Sequence, residues 1–154
     1  MPLETSMIMR KQDGFGLIEV LVAMTVLAIG ILGMAHLHAS ALKLNHSAAM
    51  RSAATGIAYD IIDRMRANRA EALTGAYDGQ TIAATAPSCS PGSLSGTTVA
   101  QRDIQSWRTA LACTLPQGTG SITRNGSEFT VVTQWDDSRG ESAPQRFVVV
   151  VAGL

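Results

Sequence analysis

Apolar positions along the chain fall into three successive patterns. From residue 15 to residue 35 almost every position is apolar, and the 21 residues carry one formal charge, Glu19. A membrane-spanning helix needs roughly 20 mostly apolar residues, so the length fits. A carboxylate near the centre of such a helix costs about 2.5–3.5 kcal/mol on insertion scales, and a group kept at that cost usually has a partner. Glu19 is therefore a candidate functional residue. Past Ala35 the pattern turns amphipathic. Met50, Ala54, Ile57, Ala58, Ile61, Ile62 and Met65 recur at spacings of three and four, against Arg51, Asp60, Asp63, Arg64 and Arg66 on the other face. That spacing predicts a helix with one buried side. The third pattern is the period of two over residues 121–152, which predicts strands.

Residues 15–70 contain no proline. One continuous helix over them would be about 84 Å long at 1.5 Å per residue. No soluble domain of this size covers such a rod, so lipid, or copies and relatives of the chain, must cover its first half. Ala23, Gly30 and Gly33 lie roughly on one stripe and permit close helix approach. The ordinary composition of membrane helices explains that stripe equally well.

Residues 71–100 read as a long irregular connection, with Thr74-Gly75, Asp78-Gly79, Pro87, Pro91-Gly92 and Ser95-Gly96 as turn signals; Ile82 and Val99 are weak strand candidates. Residues 103–115 read as a short helix, with Ile104, Trp107, Leu111 and Leu115 on its core stripe. Asp103 is the N-cap or first-turn acid, and Pro116 with Gly118 ends the helix. Asn125-Gly126 predicts a type I′ hairpin turn. In the strand that follows, Phe129, Val131, Thr133 and Trp135 form the buried face. Residues 147–151, Phe-Val-Val-Val-Val, predict a central or well-covered strand. The expected fold class is α+β: a long N-terminal helix, with a transmembrane first half and an amphipathic second half, packed on a small antiparallel β-sheet.

Composition narrows the function. The chain has 154 residues, 12 basic and 12 acidic, with no net formal charge. It carries no basic patch of the kind nucleic acids require, so no nucleic-acid partner is expected. No nucleophile–base or metal constellation is evident, so neither an enzyme, nor a cofactor, nor a metal site is expected. His36 and His38 are two apart on a helix and point in different directions, while His46 lies more than two turns away. Asp136 and Asp137 follow a strand and read as solvated turn residues. Cys89 and Cys113 allow one pairing; two unconnected thiols are the alternative. In an exported domain that disulfide closes a loop of about 25 residues and contributes about 3 kcal/mol.

Arg10 and Lys11 precede the apolar run, which places residues 1–14 in the cytoplasm and the remainder beyond the membrane. A secretory signal peptide fits poorly, because the apolar core is long and the sequence after it is not small-x-small. A plain membrane anchor leaves Glu19 and the glycine before the run unexplained. Gly14-Phe15-Gly16-Leu17-Ile18-Glu19, joined to the apolar helix, resembles the prepilin-type cleavage signature of type IV pilins and type II secretion pseudopilins. Ile29-Gly30-Ile31-Leu32-Gly33-Met34, residues 60–68 (Asp-Ile-Ile-Asp-Arg-Met-Arg-Ala-Asn) and Thr133-Gln134-Trp135-Asp136-Asp137 are similar to segments of PilV-type minor pilins.

The resemblance implies a pilin-like fold and a division into a cleaved leader (1–14), a transmembrane and assembly half-helix (15–42) and an exported head (43–154). It implies that prepilin peptidase cuts after Gly14, that Phe15 becomes the methylated amino terminus, and that the Glu19 carboxylate meets an amino terminus during assembly. Met7 and Met9 are alternative starts, and a start at Met9 leaves a short basic leader. The implied role is a low-abundance pilus subunit that starts assembly and supports a tip complex for adhesion and twitching motility. Its implied partners are other minor pilins, the major pilin and a tip adhesin, first in the inner membrane and then at the cell surface. A minor pseudopilin of a type II secretion system is the alternative. Two departures stand out. Gly16 replaces the usual Thr or Ser, and the cysteine pair ends well before the carboxy terminus, unlike that of many major pilins.

Overall fold

The computed structural model describes residues 14, 16–82, 89, 95–138 and 140–154. The expectations for the leader, for Phe15 and for most of the connection between 83 and 94 lie outside the described residues.

Helix α1 runs Leu17–Ala67. By its contacts the chain divides into two units, residues 1–43 and 44–154. Within the second unit α1 buries Ala54, Ala58, Ile61, Ile62 and Met65, with Met50 and Ile57 half-buried. The apolar stripe read from spacing is thus the face that packs. α1 stops at Ala67, because Asn68 (φ −109°, ψ 44°) leaves the helical region, and a short helix α2, Arg69–Leu73, follows. Carbonyls of Ala72 and Leu73, at the end of α2, accept from the Arg124 guanidinium at 3.5 and 2.7 Å. A basic side chain on the last carbonyls of a helix satisfies acceptors that have no intrahelical donor.

Among the described residues four antiparallel strands form one sheet in the order β1-β2-β3-β4: Gln80–Ile82, Thr119–Asn125, Glu128–Trp135 and Gln145–Ala152. The α+β class holds, and the sheet has one strand more than the alternating pattern over 121–152 implies. β1 has only three residues, too few for a period of two to show. On β3 the expected face is buried: Phe129, Val131, Thr133 and Trp135.

Four expectations are corrected. Val99 is not in a strand; it opens helix α3, Val99–Thr114. Thr98 is its N-cap, and Thr98 and Gln101 form a reciprocal capping box. Asp103, expected at the cap, therefore sits past the first turn, and its carboxylate faces Tyr77 and Arg64 instead. The hairpin forms one residue later than expected: Asn125 pairs with Glu128, and Gly126 and Ser127 are the central residues. Only Gly126 has positive φ, +63°, which is the sign pattern of a type II′ turn rather than type I′. Finally, β4 is not central. It forms the open edge beside β3, and its alternate residues Val148 and Val150 are 51% and 55% exposed.

Helix α3 packs on β2 through Trp107 and Leu111, both fully buried. The close approach depends on Gly120, where an added Cβ would lie 2.7 Å from the Trp107 ring and 2.8 Å from Leu111. Cys113 near the end of α3 is bonded to Cys89, with Cα atoms 5.7 Å apart and a sequence separation of 24. The disulfide ties α3 to the connection that precedes it.

Candidate processing and assembly segment

At the amino-terminal end Gly14 and Gly16 lie in irregular backbone, and α1 begins at Leu17. The Gly16 carbonyl accepts from the amides of Glu19 and Val20 at 3.0 and 3.3 Å, which closes the first turn. Glu19 stands in that turn, where a carboxylate is favoured by the positive end of the helix dipole. Its side chain is exposed, and among the described residues no hydrogen bond or ion pair reaches it. Leu17 and Ile18 beside it are 80% and 72% exposed. Among the described residues this carboxylate thus stands without a partner, in a run of exposed apolar side chains.

The rest of this half-helix has the same character. The exposed side chains include Leu21, Val22, Leu27, Ile29, Ile31 and Leu32. Thr25, a polar residue in the run, donates its hydroxyl to the Leu21 carbonyl at 2.8 Å, so it needs no outside partner. α1 is long and apolar enough to cross a membrane, and none of its most apolar window is buried. Water is a poor solvent for such a surface, whereas a bilayer core of about 30 Å would cover it.

The second unit, residues 44–154, contains a polar cluster that sequence reading missed. Tyr77 is fully buried, and its hydroxyl donates to Asp103 Oδ2 at 2.6 Å. Arg64 donates to Asp60 at 2.8 Å and to Asp103 Oδ1 at 3.3 Å. Asn68 donates to the Tyr77 oxygen at 3.2 Å and to Glu71 at 3.0 Å, while Glu71 also accepts from the Ala100 amide at 3.3 Å. The cluster locks α3 to α1 and α2. Burial, reinforced by the Asp103 carboxylate that holds the phenol proton, pushes the Tyr77 pKa up to about 12. The Arg64 guanidinium is held still more firmly protonated, chiefly by its hydrogen bond to Asp60. The signal for this cluster was weak, because Tyr77 lies among turn residues with no periodic pattern around it.

Asp136 and Asp137 are also not the solvated turn residues expected. Asp136 is buried and accepts from the Ser138 amide and hydroxyl at 2.8 and 2.7 Å. Asp137 accepts from the Ser47 hydroxyl at 2.7 Å, which joins the loop after β3 to α1. Both carboxylates serve the fold. His36, His38 and His46 are exposed along α1.

Residues 9–35 match the family described as the prokaryotic N-terminal methylation motif. No curated protein and no solved structure matches the chain significantly. The matched stretch contains Gly14, Phe15 and Glu19 and ends where the uniformly apolar run ends. It indicates a type IV pilin-like or pseudopilin-like chain, processed by a prepilin peptidase and assembled with other pilins.

Proposed function

We propose that this chain is a minor pilin of a type IV pilus that helps to initiate the fibre and its tip complex. One observation carries the reading: the methylation motif covers an exposed apolar run, residues 16–35, whose only charge, Glu19, has no partner among the described residues. In this reading residues 1–14 are removed, residues 15–42 hold the chain in the inner membrane, and residues 43–154 form the exported head. The cut after Gly14 creates an ammonium at Phe15, with an ordinary pKa of about 7.7–8.0. Inside or beside an apolar layer that cation and the Glu19 carboxylate cost far less together than apart. Transfer of the helix from lipid into a growing fibre keeps its apolar surface covered while the pair forms. The amine of a neighbouring subunit and that of the same chain, four residues before Glu19 in sequence, are the two candidate partners.

The finer assignment rests on the segments similar to PilV-type minor pilins, of which the two in the second unit serve the fold here. Ile61, Ile62 and Met65 are core, Arg64 and Asn68 hold the Tyr77–Asp103 cluster, and Trp135 and Asp137 anchor the end of β3. A minor pseudopilin of a type II secretion system carries the same motif and is the second reading. Mass spectrometry of the mature protein tests the common part. The expected amino terminus is methylated Phe15, with Gly14→Ala leaving the leader attached; an intact leader on wild-type protein extracted from membranes overturns the reading. Deletion of the gene separates the two machines, through loss of surface pili or loss of protein secretion.

A further inference from the structure

The two ends of the sheet are finished differently. β1 presents an edge of three residues, which is a common way of blunting an edge against stray pairing. β4 presents eight residues in unbroken register with β3, with no proline, no lysine and no bulge within it. Among the described residues no backbone hydrogen bond reaches β4 from outside the sheet. A long unprotected edge of this kind templates a further strand.

Both faces beside that edge are apolar. On the outer face Val148 and Val150 are exposed and stand opposite Val132 and Thr130 of β3. On the inner face the Phe147 ring packs 6.4 Å from Tyr59, which is itself 47% exposed. An added strand would cover apolar surface on both sides while its backbone completed the edge. At the start of β4 lies an open cleft of about 280 Å³, lined among others by Arg51, Arg146 and Trp135. Arg51 donates to Gln145 at 3.3 Å, but neither arginine has an acidic partner among the described residues. The Trp135 indole N–H is likewise without an acceptor among them. The cleft therefore suits an anion.

We propose that β4 is a strand-addition site. Its occupant is an extended segment of a different protein chain, apolar at alternate positions, with a carboxylate that reaches Arg51 and Arg146. A second copy of β4 is the poorer occupant, because residues 145–152 contain no acid and one arginine. Such a contact lies in the head and does not require the processing of the amino terminus. It adds to the helix-mediated assembly proposed above a contact able to select one partner.

Photo-crosslinking of the full-length protein in its native cells tests this. The crosslinker p-benzoylphenylalanine is placed at position 148 or 150, with exposed Thr123 as the control position. Adducts from 148 and 150 are expected in one other chain, at sites two residues apart, in a segment with an Asp or Glu at the end nearest Arg146. Arg146→Glu and Arg51→Glu are each expected to lower the adduct yield at least fivefold. Protection of both cysteines from thiol labelling checks that the variants remain folded. Adducts to a second copy of this chain, sites three or four residues apart, or a yield no higher than at Thr123 overturn the proposal. An unchanged yield in both arginine variants removes the acidic occupant. Mature termini are read separately, so a failure here is distinct from a failure of processing.

Discussion

The Tyr77 hydroxyl donates to Asp103 Oδ2 at 2.6 Å inside the second unit, across 26 residues of sequence. This bond connects the turn after α2 to the second turn of α3, and through Arg64 and Asn68 it reaches the end of α1. The cluster, with the Cys89–Cys113 disulfide, is what holds α3 in place from that side.

Replacing Tyr77 by Phe keeps the ring in the core but removes the donor to Asp103 and the acceptor for Asn68. Leaving such groups unpaired costs about 1–3 kcal/mol. Urea denaturation of the full chain in detergent, followed by tryptophan fluorescence, is expected to show a loss in that range; no loss would mean that water replaces the hydroxyl freely.

Alkaline pH should expose the same bond. Folded Tyr77 titrates at about 12, above the ordinary 10 of an unfolded tyrosine. Below pH 10 both states hold the phenol proton and the contribution is constant. Between 10 and 12 the unfolded chain loses the proton while the folded chain keeps it, so stability falls as pH rises. The full difference corresponds to about 2–3 kcal/mol. Tyr77→Phe should flatten this part of the stability profile.

Gly120→Ala tests the contact of α3 with the sheet. The new Cβ would stand 2.7 Å from Trp107, so the helix must move or the ring must leave its position. Overpacking of this kind costs about 1–3 kcal/mol. Gly126→Ala, at an open turn with nothing within 4 Å, meets no such contact and carries only the strain of its positive φ. The Gly120 variant should lose the more stability of the two in thermal denaturation.

The disulfide closes a long loop, and its removal by Cys89→Ser with Cys113→Ser is expected to cost about 3 kcal/mol. In the wild-type protein thiol reagents should label neither cysteine until a reductant is added. Labelling of native, unreduced protein would contradict the pairing.

Glu19 carries the prediction closest to function. Glu19→Ala should leave cleavage and methylation unchanged yet reduce incorporation into the fibre at least tenfold, as measured by immunoblot of sheared surface fractions. Glu19→Gln should behave like Glu19→Ala, because a neutral amide cannot pair with an ammonium. Normal incorporation of both variants would leave Glu19 without the proposed role.

By itself the sequence determined the features that depend on neighbours along the chain. A run of apolar residues interrupted only by Glu19, and a following stripe at spacings of three and four, state which part of α1 faces a foreign apolar medium and which faces a core. Alternation on β3 likewise states its buried face, because side chains of a strand point to opposite sides at every step. Even the start of α3 is written locally, in the capping box of Thr98 and Gln101. Only the tertiary structure decided which strands are neighbours and which end of the sheet stays open. Five apolar residues in succession read as a covered strand, yet β4 is covered on one side only, since strand order depends on pairings between distant segments. The same holds for Tyr77 with Asp103: neither has a local pattern, and their bond exists because two helices and a turn bring them together from 26 residues apart.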